Sequence, residues 1–364
     1  MNPLFTPFRL HRLTLPNRIV MAPMTRSQSP GGIPGPNVAA YYRRRAEHGV
    51  GLILTEGTGI AHPAALGNPN VPCFHGREAL DGWAAVLDAV HGAGGRIMPQ
   101  LWHVGITRKP GTAPNPDAPP VSPSGITGAG DHVAAPLTET EIADLIAAYA
   151  GGAADACRLG FDGIELHGAH GYLIDQFFWD ATNRRTDRYG GDLVARTRFA
   201  VEAVQACRRV TRPDFPILLR FSQWKIPYYS ARLATTPGEL ARFLEPLVDA
   251  GVDVFHCSTR RYWEPEFEGS PLNLAGWTKK LTGKPVITVG SVGLDNDFIS
   301  GFAEQKSAET TRIDRLIEML TNGEVDLVAV GRALLVDPAW AEKVRDGRVA
   351  DLMPFTPTAL ATLN

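Results

Sequence analysis

Cysteine is scarce in this sequence. Its 364 residues include four, at Cys73, Cys157, Cys207 and Cys257, and no two stand in a C-x-x-C pair. Neither a zinc site nor a redox dithiol is supported, and buried, reduced thiols in a cytosolic protein are expected. An excess of charge is also missing. The 36 basic and 38 acidic residues leave a net charge of −2, which offers nothing to nucleic acid or an anionic membrane. No apolar run reaches the length of a membrane span. The opening segment MNPLFTPFRL lacks an apolar h-region, so a mature cytoplasmic protein is expected. No internal repeat or low-complexity tract divides the chain, and residues 1–364 read as a single domain.

Short β-branched runs alternate with longer helical patterns. Eight strand candidates fall at 18–22, 51–55, 96–101, 163–167, 217–221, 252–256, 285–289 and 325–330. Between them, the segment 138–159 opens on Thr138 and Glu141, a capping-box pattern, and stops at Gly160. The segment 236–250 has Pro237 in its first turn and stops at Gly251. Strict alternation implies parallel strands joined by right-handed crossovers, and eight units favour a closed (β/α)8 TIM barrel. An open doubly wound sheet is the competitor. The G-x-G-x-x-G turn that usually announces it is absent.

Helix-to-strand connections are short, but the loops 103–137, 222–235, 259–274 and 293–308 are long. In a barrel they gather at the C-terminal face, where active sites sit. The loop 103–137 is rich in Pro and Gly and reads as a lid or wall, with a surface excursion as the alternative.

The fourth strand candidate ends in His167, Gly168, Ala169, His170, Gly171 and Tyr172. Two imidazoles three residues apart can face one site if the chain turns there, and Gly168 and Gly171 ease that turn. Two N–H donors on one oxygen would polarise a carbonyl or nitro group, and Tyr172 could act as a general acid. A metal site is a second option, although Asp175 is the only further ligand in reach. Ordinary hydrogen-bonding loop histidines are a third. Spacing alone does not choose among them. Gly290, Ser291 and Gly293 follow the seventh strand, and Gly331 and Arg332 the eighth. Barrels often build phosphate sites there. Gln100 and Arg220 are polar groups inside apolar strands. Arg220 needs either an anionic ligand or a salt bridge, for which Glu165 is the candidate. Thr25 and Trp102 close the first and third strands.

The segment Ala22-Pro23-Met24-Thr25-Arg26-Ser27 resembles the first-strand flavin motif of the Old Yellow Enzyme family. Thr55-Glu56-Gly57, Pro99-Gln100-Leu101-Trp102, the segment from His167 to Leu173, Asp187-Arg188-Tyr189-Gly190-Gly191 and Gly331-Arg332 resemble its other signatures, in family order. The resemblance implies a barrel holding non-covalent FMN, with NADH or NADPH as reductant and a small enone or nitro compound as acceptor. It implies that Thr25 meets flavin O4, that Pro23, Met24 and Gly57 touch the ring through backbone, and that Gln100 reads the pyrimidine edge. Arg220 is implied near N1/O2, with Gly290, Ser291, Gly293, Gly331 and Arg332 on the phosphate.

By the same resemblance, His167 and His170 grip the acceptor oxygen, with Trp102 and Thr25 also on the substrate. Tyr172 donates a proton to the α-carbon after hydride reaches the β-carbon. No metal is implied. The combination of Thr25 with His167 and His170 mixes features of two family subgroups. Nitroester or nitro reduction, or amine oxidation, on the same fold is the second reading. A flavin-free barrel using His167 and His170 as ligands is the third. Arg260 and Arg261 are placed to attract the phosphates of a nicotinamide cofactor. A homo-oligomer is compatible with the barrel, but nothing in the sequence selects a symmetry.

Overall fold

The computed structural model describes residues 2–297, 299 and 304–364. Eight strands form the barrel: β1 (Ile19–Met21), β2 (Leu52–Gly59), β3 (Ile97–Trp102), β4 (Ile164–His170), β5 (Ile217–Lys225), β6 (Val254–Ser258), β7 (Val286–Val289) and β8 (Leu327–Val330). They close in this order, with β8 returning to β1 through Val328↔Ile19 and Val330↔Met21. Every pairing in the ring is parallel. The fold is the (β/α)8 TIM barrel that the alternating pattern implies, and each expected strand overlaps an observed one. No helix among the described residues is long and apolar enough to cross a membrane.

The crossover helices start and stop where local chemistry directs. In the helix Glu139–Leu159, the Thr138 hydroxyl accepts from Glu141 N at 3.2 Å, and the Glu141 carboxylate accepts from Thr138 N at 2.7 Å. This satisfies two amide donors that helix geometry leaves open. The helix ends at Gly160 with φ 97, a left-handed conformation that glycine adopts without penalty. The helix Pro237–Asp249 is capped by Thr236, whose hydroxyl accepts from Glu239 N.

Inside the ring, alternate residues form an apolar core that includes Val20, Leu52, Met98, Leu218, Val254 and Leu327. An N-terminal hairpin, Phe8–Leu10 with Leu13–Leu15, joins the same cluster through Phe8, Leu13 and Leu15. Above this core the inward positions turn polar: Gln100, Glu165, Arg220 and His256 are all buried.

Three expectations about the loops need correction. β2 and β5 run well past the expected 51–55 and 217–221. After register shifts, Gly57–Gly59 still pairs with Gln100–Trp102, and Lys225 with His170. Pairing continues where polarity suggested loop. The loop 103–137 is neither a lid nor a wall of the main cavity, because none of its residues lines that space. It folds around buried Arg108, whose guanidinium donates to the carbonyls of Leu66, Ala118, Thr112 and Asn115. Of the loop 293–308, residues 298 and 300–303 lie outside the described residues.

Removing the Thr138 cap by Thr138→Ala is expected to lower stability by about 1 kcal/mol. A urea or thermal melt checks this, and an unchanged midpoint would mean that tertiary packing alone fixes this helix start.

Candidate active site

A cavity of about 470 Å³ opens at the C-terminal face of the barrel, a size within the usual range for small-molecule sites. Ala22 leads from β1 into Pro23, Met24 and Thr25, which form one wall. Gly57 of β2 and Gln100 and Trp102 of β3 follow. The next wall holds His167, His170 and Tyr172 from the end of β4, with Arg220 of β5. Gly290 and Ser291 after β7 and Gly331 and Arg332 after β8 complete the ring. Of the fifteen residues expected to touch the flavin or the acceptor, Gly293 alone is not on the wall. It turns with φ 73 beside the Trp340 indole instead. The segment Asp187–Gly191 also lies away from the cavity, where Asp187 pairs with Arg185 and the Tyr189 hydroxyl donates to Glu202.

The turn after β4 gathers three aromatic groups. His167 and His170 ring centroids lie 5.1 Å apart, and His167 and Tyr172 5.0 Å apart. Trp102 backs them, stacked on His167 at 6.0 Å and edge-on to Tyr172 at 4.9 Å. His170 has φ 66 and Gly171 φ 83. Two successive left-handed residues reverse the chain, and a non-glycine residue there carries strain that surrounding contacts must hold. Those contacts are specific. His170 N donates to Ser222 Oγ at 3.0 Å, and Gly171 N donates to Asp175 Oδ2 at 2.7 Å. Asp175 is itself fixed by Lys225 Nζ at 2.8 Å, with both side chains fully buried. The one carboxylate that spacing offered as a third metal ligand is thus committed to an ammonium. Among the described residues, no group of three His, Cys, Asp or Glu side chains could hold a metal ion.

Beneath this turn, Glu165 accepts from Gln100 Nε2 at 2.7 Å and pairs with His256 Nδ1 at 2.7 Å. It forms no direct salt bridge with Arg220, the alternative raised by the sequence. Arg220 instead donates from Nη2 to Ser258 Oγ at 3.1 Å, while its buried Nε has no partner among the described residues. An unpartnered donor on a buried cation that lines a cavity calls for an anionic or carbonyl ligand. At the far end, Arg332 donates to the Asn296 side-chain and main-chain oxygens and stacks over Phe355 at 5.3 Å.

Trp224, Ile226, Ser258, Thr259 and Arg260 also line the cavity, and apart from Arg260 they were not singled out in the sequence. Trp224 packs against His170 with ring centroids 4.6 Å apart and the planes tilted by 32°, and it donates from Nε1 to Ser258 O. The alternation Ser222-Gln223-Trp224-Lys225 was the available signal that β5 continues. Arg261 is held by Glu264 and Asp297, whereas the Arg260 guanidinium lies 5.8 Å from the Tyr229 ring and makes no hydrogen bond or ion pair among the described residues.

Comparison with known proteins places this site in context. Residues 3–351 match the model of the NADH:flavin oxidoreductase / NADH oxidase family. The NADH oxidase of Thermoanaerobacter brockii is 35% identical over 359 residues, 95% of this chain and 51% of that protein. The rice (Oryza sativa subsp. japonica) 12-oxophytodienoate reductase 7 is 43% identical over 216 residues, 56% of this chain and 54% of that protein. The chain therefore spans about half the length of these curated relatives. A solved structure of morphinone reductase in complex with tetrahydroNAD superposes with a TM-score of 0.81 at 30% identity, covering 98% of this chain and 93% of that one.

Burial governs the protonation of the site. It holds His167 and His170 well below the usual imidazole range, aided by the Arg220 charge. It raises Tyr172, with Arg220 pulling the other way. The imidazoles are therefore neutral near neutral pH and the phenol keeps its proton. Glu56 sits behind the Thr25 wall and accepts from Arg26 N at 2.8 Å and Ser27 N at 3.1 Å. Burial lifts its carboxyl from 4.5 to about 7. Folding thus favours the protonated form. Its stabilising contribution is full below about pH 4.5 and is lost as pH rises through about 7. Glu56→Gln stays neutral throughout. Its stability relative to wild type is expected to improve from about pH 5 to about pH 8, by at most about 3 kcal/mol. Paired thermal melts test this, and a gap that does not change with pH would mean that the carboxylate ionises without cost.

Proposed function

The chain belongs to the NADH:flavin oxidoreductase / NADH oxidase family, the Old Yellow Enzyme family of the motif comparison, and from that premise we propose that it is an ene-reductase. Its acceptors are small enones or nitroalkenes, and its reductant is NADPH or NADH. The observation that carries this reading is the grouping of His167, His170 and Tyr172 in one cavity with the unpartnered Nε of Arg220. The residues fit FMN. Arg220 Nε and the unengaged oxygen of the Gln100 amide can meet the pyrimidine edge. Thr25 with the backbone of Pro23, Met24 and Gly57 forms the ring wall. Gly290, Ser291, Gly331 and Arg332 can hold the phosphate. Bound FMN supplies the hydride relay between reductant and acceptor.

The protein supplies positions and protons. His167 and His170, each neutral, direct one N–H at the acceptor oxygen and draw electrons from the β-carbon. Tyr172 keeps its proton until the acceptor needs it at the α-carbon. The Trp102 and Trp224 rings keep both histidines in place and exclude water from one side. Arg260, whose guanidinium pairs with no carboxylate among the described residues, attracts the phosphates of the nicotinamide reductant. Arg261, already neutralised twice, does not.

An absorption spectrum followed by anaerobic NADPH titration and then cyclohexenone tests the reading. A flavin band that bleaches and returns is the expected result, and the absence of a flavin band after FMN reconstitution would overturn it. Product analysis with a nitrate ester and an amine separates the neighbouring activities. Tyr172→Phe is expected to slow enone reduction by about 10²–10⁴-fold while flavin bleaching by NADPH stays nearly unchanged. Equal loss in both steps would remove Tyr172 as the acid. Arg260→Gln is expected to raise KM for NADPH about fivefold, with KM for cyclohexenone unmoved. An unchanged NADPH KM would dissociate Arg260 from the reductant.

A further inference from the structure

We propose that Ser258 is a positioning residue that fixes which ring nitrogen of His170 carries the proton. The proposal rests on reading His170 as a ligand of the acceptor oxygen. Ser258 ends β6 and is 2% exposed. Its hydroxyl lies 3.1 Å from Arg220 Nη2 and 2.8 Å from His170 Nε2. A guanidinium can only donate, so the serine oxygen accepts from Arg220. The hydroxyl then has one proton to place, and His170 Nε2 is its remaining partner among the described residues.

Two arrangements are conceivable. If Nε2 carried the hydrogen, it would donate to the serine oxygen. The serine proton would then be left buried beside a cation with no acceptor, which costs about 1–3 kcal/mol. If Ser258 donates to Nε2, the Ser258 hydroxyl both accepts from Arg220 Nη2 and places its proton, and His170 Nε2 is satisfied. The proton of the neutral imidazole is then on Nδ1. That nitrogen has no partner among the described residues and belongs to a ring lining the cavity.

The neighbouring groups agree with this assignment. Ser258 is held from behind by Trp224 Nε1, which donates to its carbonyl at 3.1 Å while the indole packs at a tilt against His170. His170 N donates to Ser222 Oγ, which fixes the backbone that carries the ring. In His167, Ala169 N approaches Nδ1 at 3.4 Å, which leaves Nε2–H as its donor. The two histidines therefore present different nitrogens to the acceptor: Nε2–H from His167 and Nδ1–H from His170. Ser258 is what makes the second of these certain, and it does so by relaying the fixed donor character of Arg220.

The test is ¹⁵N-histidine NMR of the holoenzyme, with the His170 signal assigned by its loss in His170→Asn. The expected result is a protonated, pyrrole-type Nδ1 and an unprotonated, pyridine-type Nε2. In Ser258→Ala this pattern should give way to a mixture of tautomers, and kcat/KM for cyclohexenone should fall about tenfold. Flavin content and bleaching by NADPH, measured on the same samples, report separately on the flavin reading. A proton on Nε2 in the wild type would overturn the proposal even if Ser258→Ala does not fold. So would a Ser258→Ala enzyme whose tautomer and kcat/KM match the wild type.

Discussion

Closing eight strands into a ring turns alternate residues of each strand inward, and every polar group turned inward must find a partner there. This constraint organises the molecule. The lower inward positions are apolar and are sealed by the N-terminal hairpin. The upper ones are Gln100, Glu165, Arg220 and His256, all buried. A lone carboxylate at that depth would be costly. Glu165 resolves this by taking Gln100 and His256. Its negative charge still favours the charged form of Arg220, against the burial that lowers that group. The arginine is therefore kept cationic without being tied up by the carboxylate. Its side chain donates to Ser258, and among the described residues its buried Nε has no partner.

The same logic holds the chain reversal after β4. A buried ammonium and carboxylate are tolerated only when paired and further hydrogen-bonded. Lys225 meets Asp175 and also donates to the carbonyls of Ser222 and Gln223. Asp175 in turn receives Gly171 N. The pair therefore joins the extended end of β5 to the turn carrying His170 and Tyr172. Losing either partner would leave a buried charge uncompensated, a disruption of about 3–5 kcal/mol. The strained φ of His170 is held by this connection, so the geometry of the site is maintained by groups that never face the cavity.

Much of the fold could be read from the sequence because strand and helix signals there are local. Each β-branched run became a strand, and the Thr138–Glu141 box and Gly160 set the ends of one helix as their chemistry requires. The cavity wall was legible from strand-end polarity and motif order for fourteen of the fifteen residues expected on the flavin or the acceptor, from Pro23 to Arg332. What escaped depends on partners distant in sequence. Ser222, Gln223 and Lys225 look like loop residues until Asp175 and the carbonyls beside them are brought close. Trp224 and Ser258 were overlooked with them. The Pro- and Gly-rich composition of 103–137 marks a loop but not its direction, which Arg108 sets by gathering carbonyls from Leu66 to Ala118. Gly293 showed only that a left-handed residue was wanted. Whether the turn faces the cavity or packs on Trp340 is decided by neighbouring elements.

Burial also decides which groups can exchange protons, and it acts in opposite directions on the two kinds of donor. It makes imidazolium expensive, so His167 and His170 stay neutral, each with a single N–H to offer. It makes phenolate expensive, so Tyr172 keeps its proton. Arg220 adds to the first effect and subtracts from the second, since a nearby cation disfavours another cation and favours an anion. Burial outweighs its pull on Tyr172, so the phenol remains an acid rather than an anion. A neutral imidazole has two nitrogens but one proton, and its usefulness as a donor depends on where that proton sits. The polarity of the site therefore rests less on how many ionisable groups it contains than on fixed donors such as the Arg220 guanidinium. These orient hydroxyls and rings that would otherwise be free to choose.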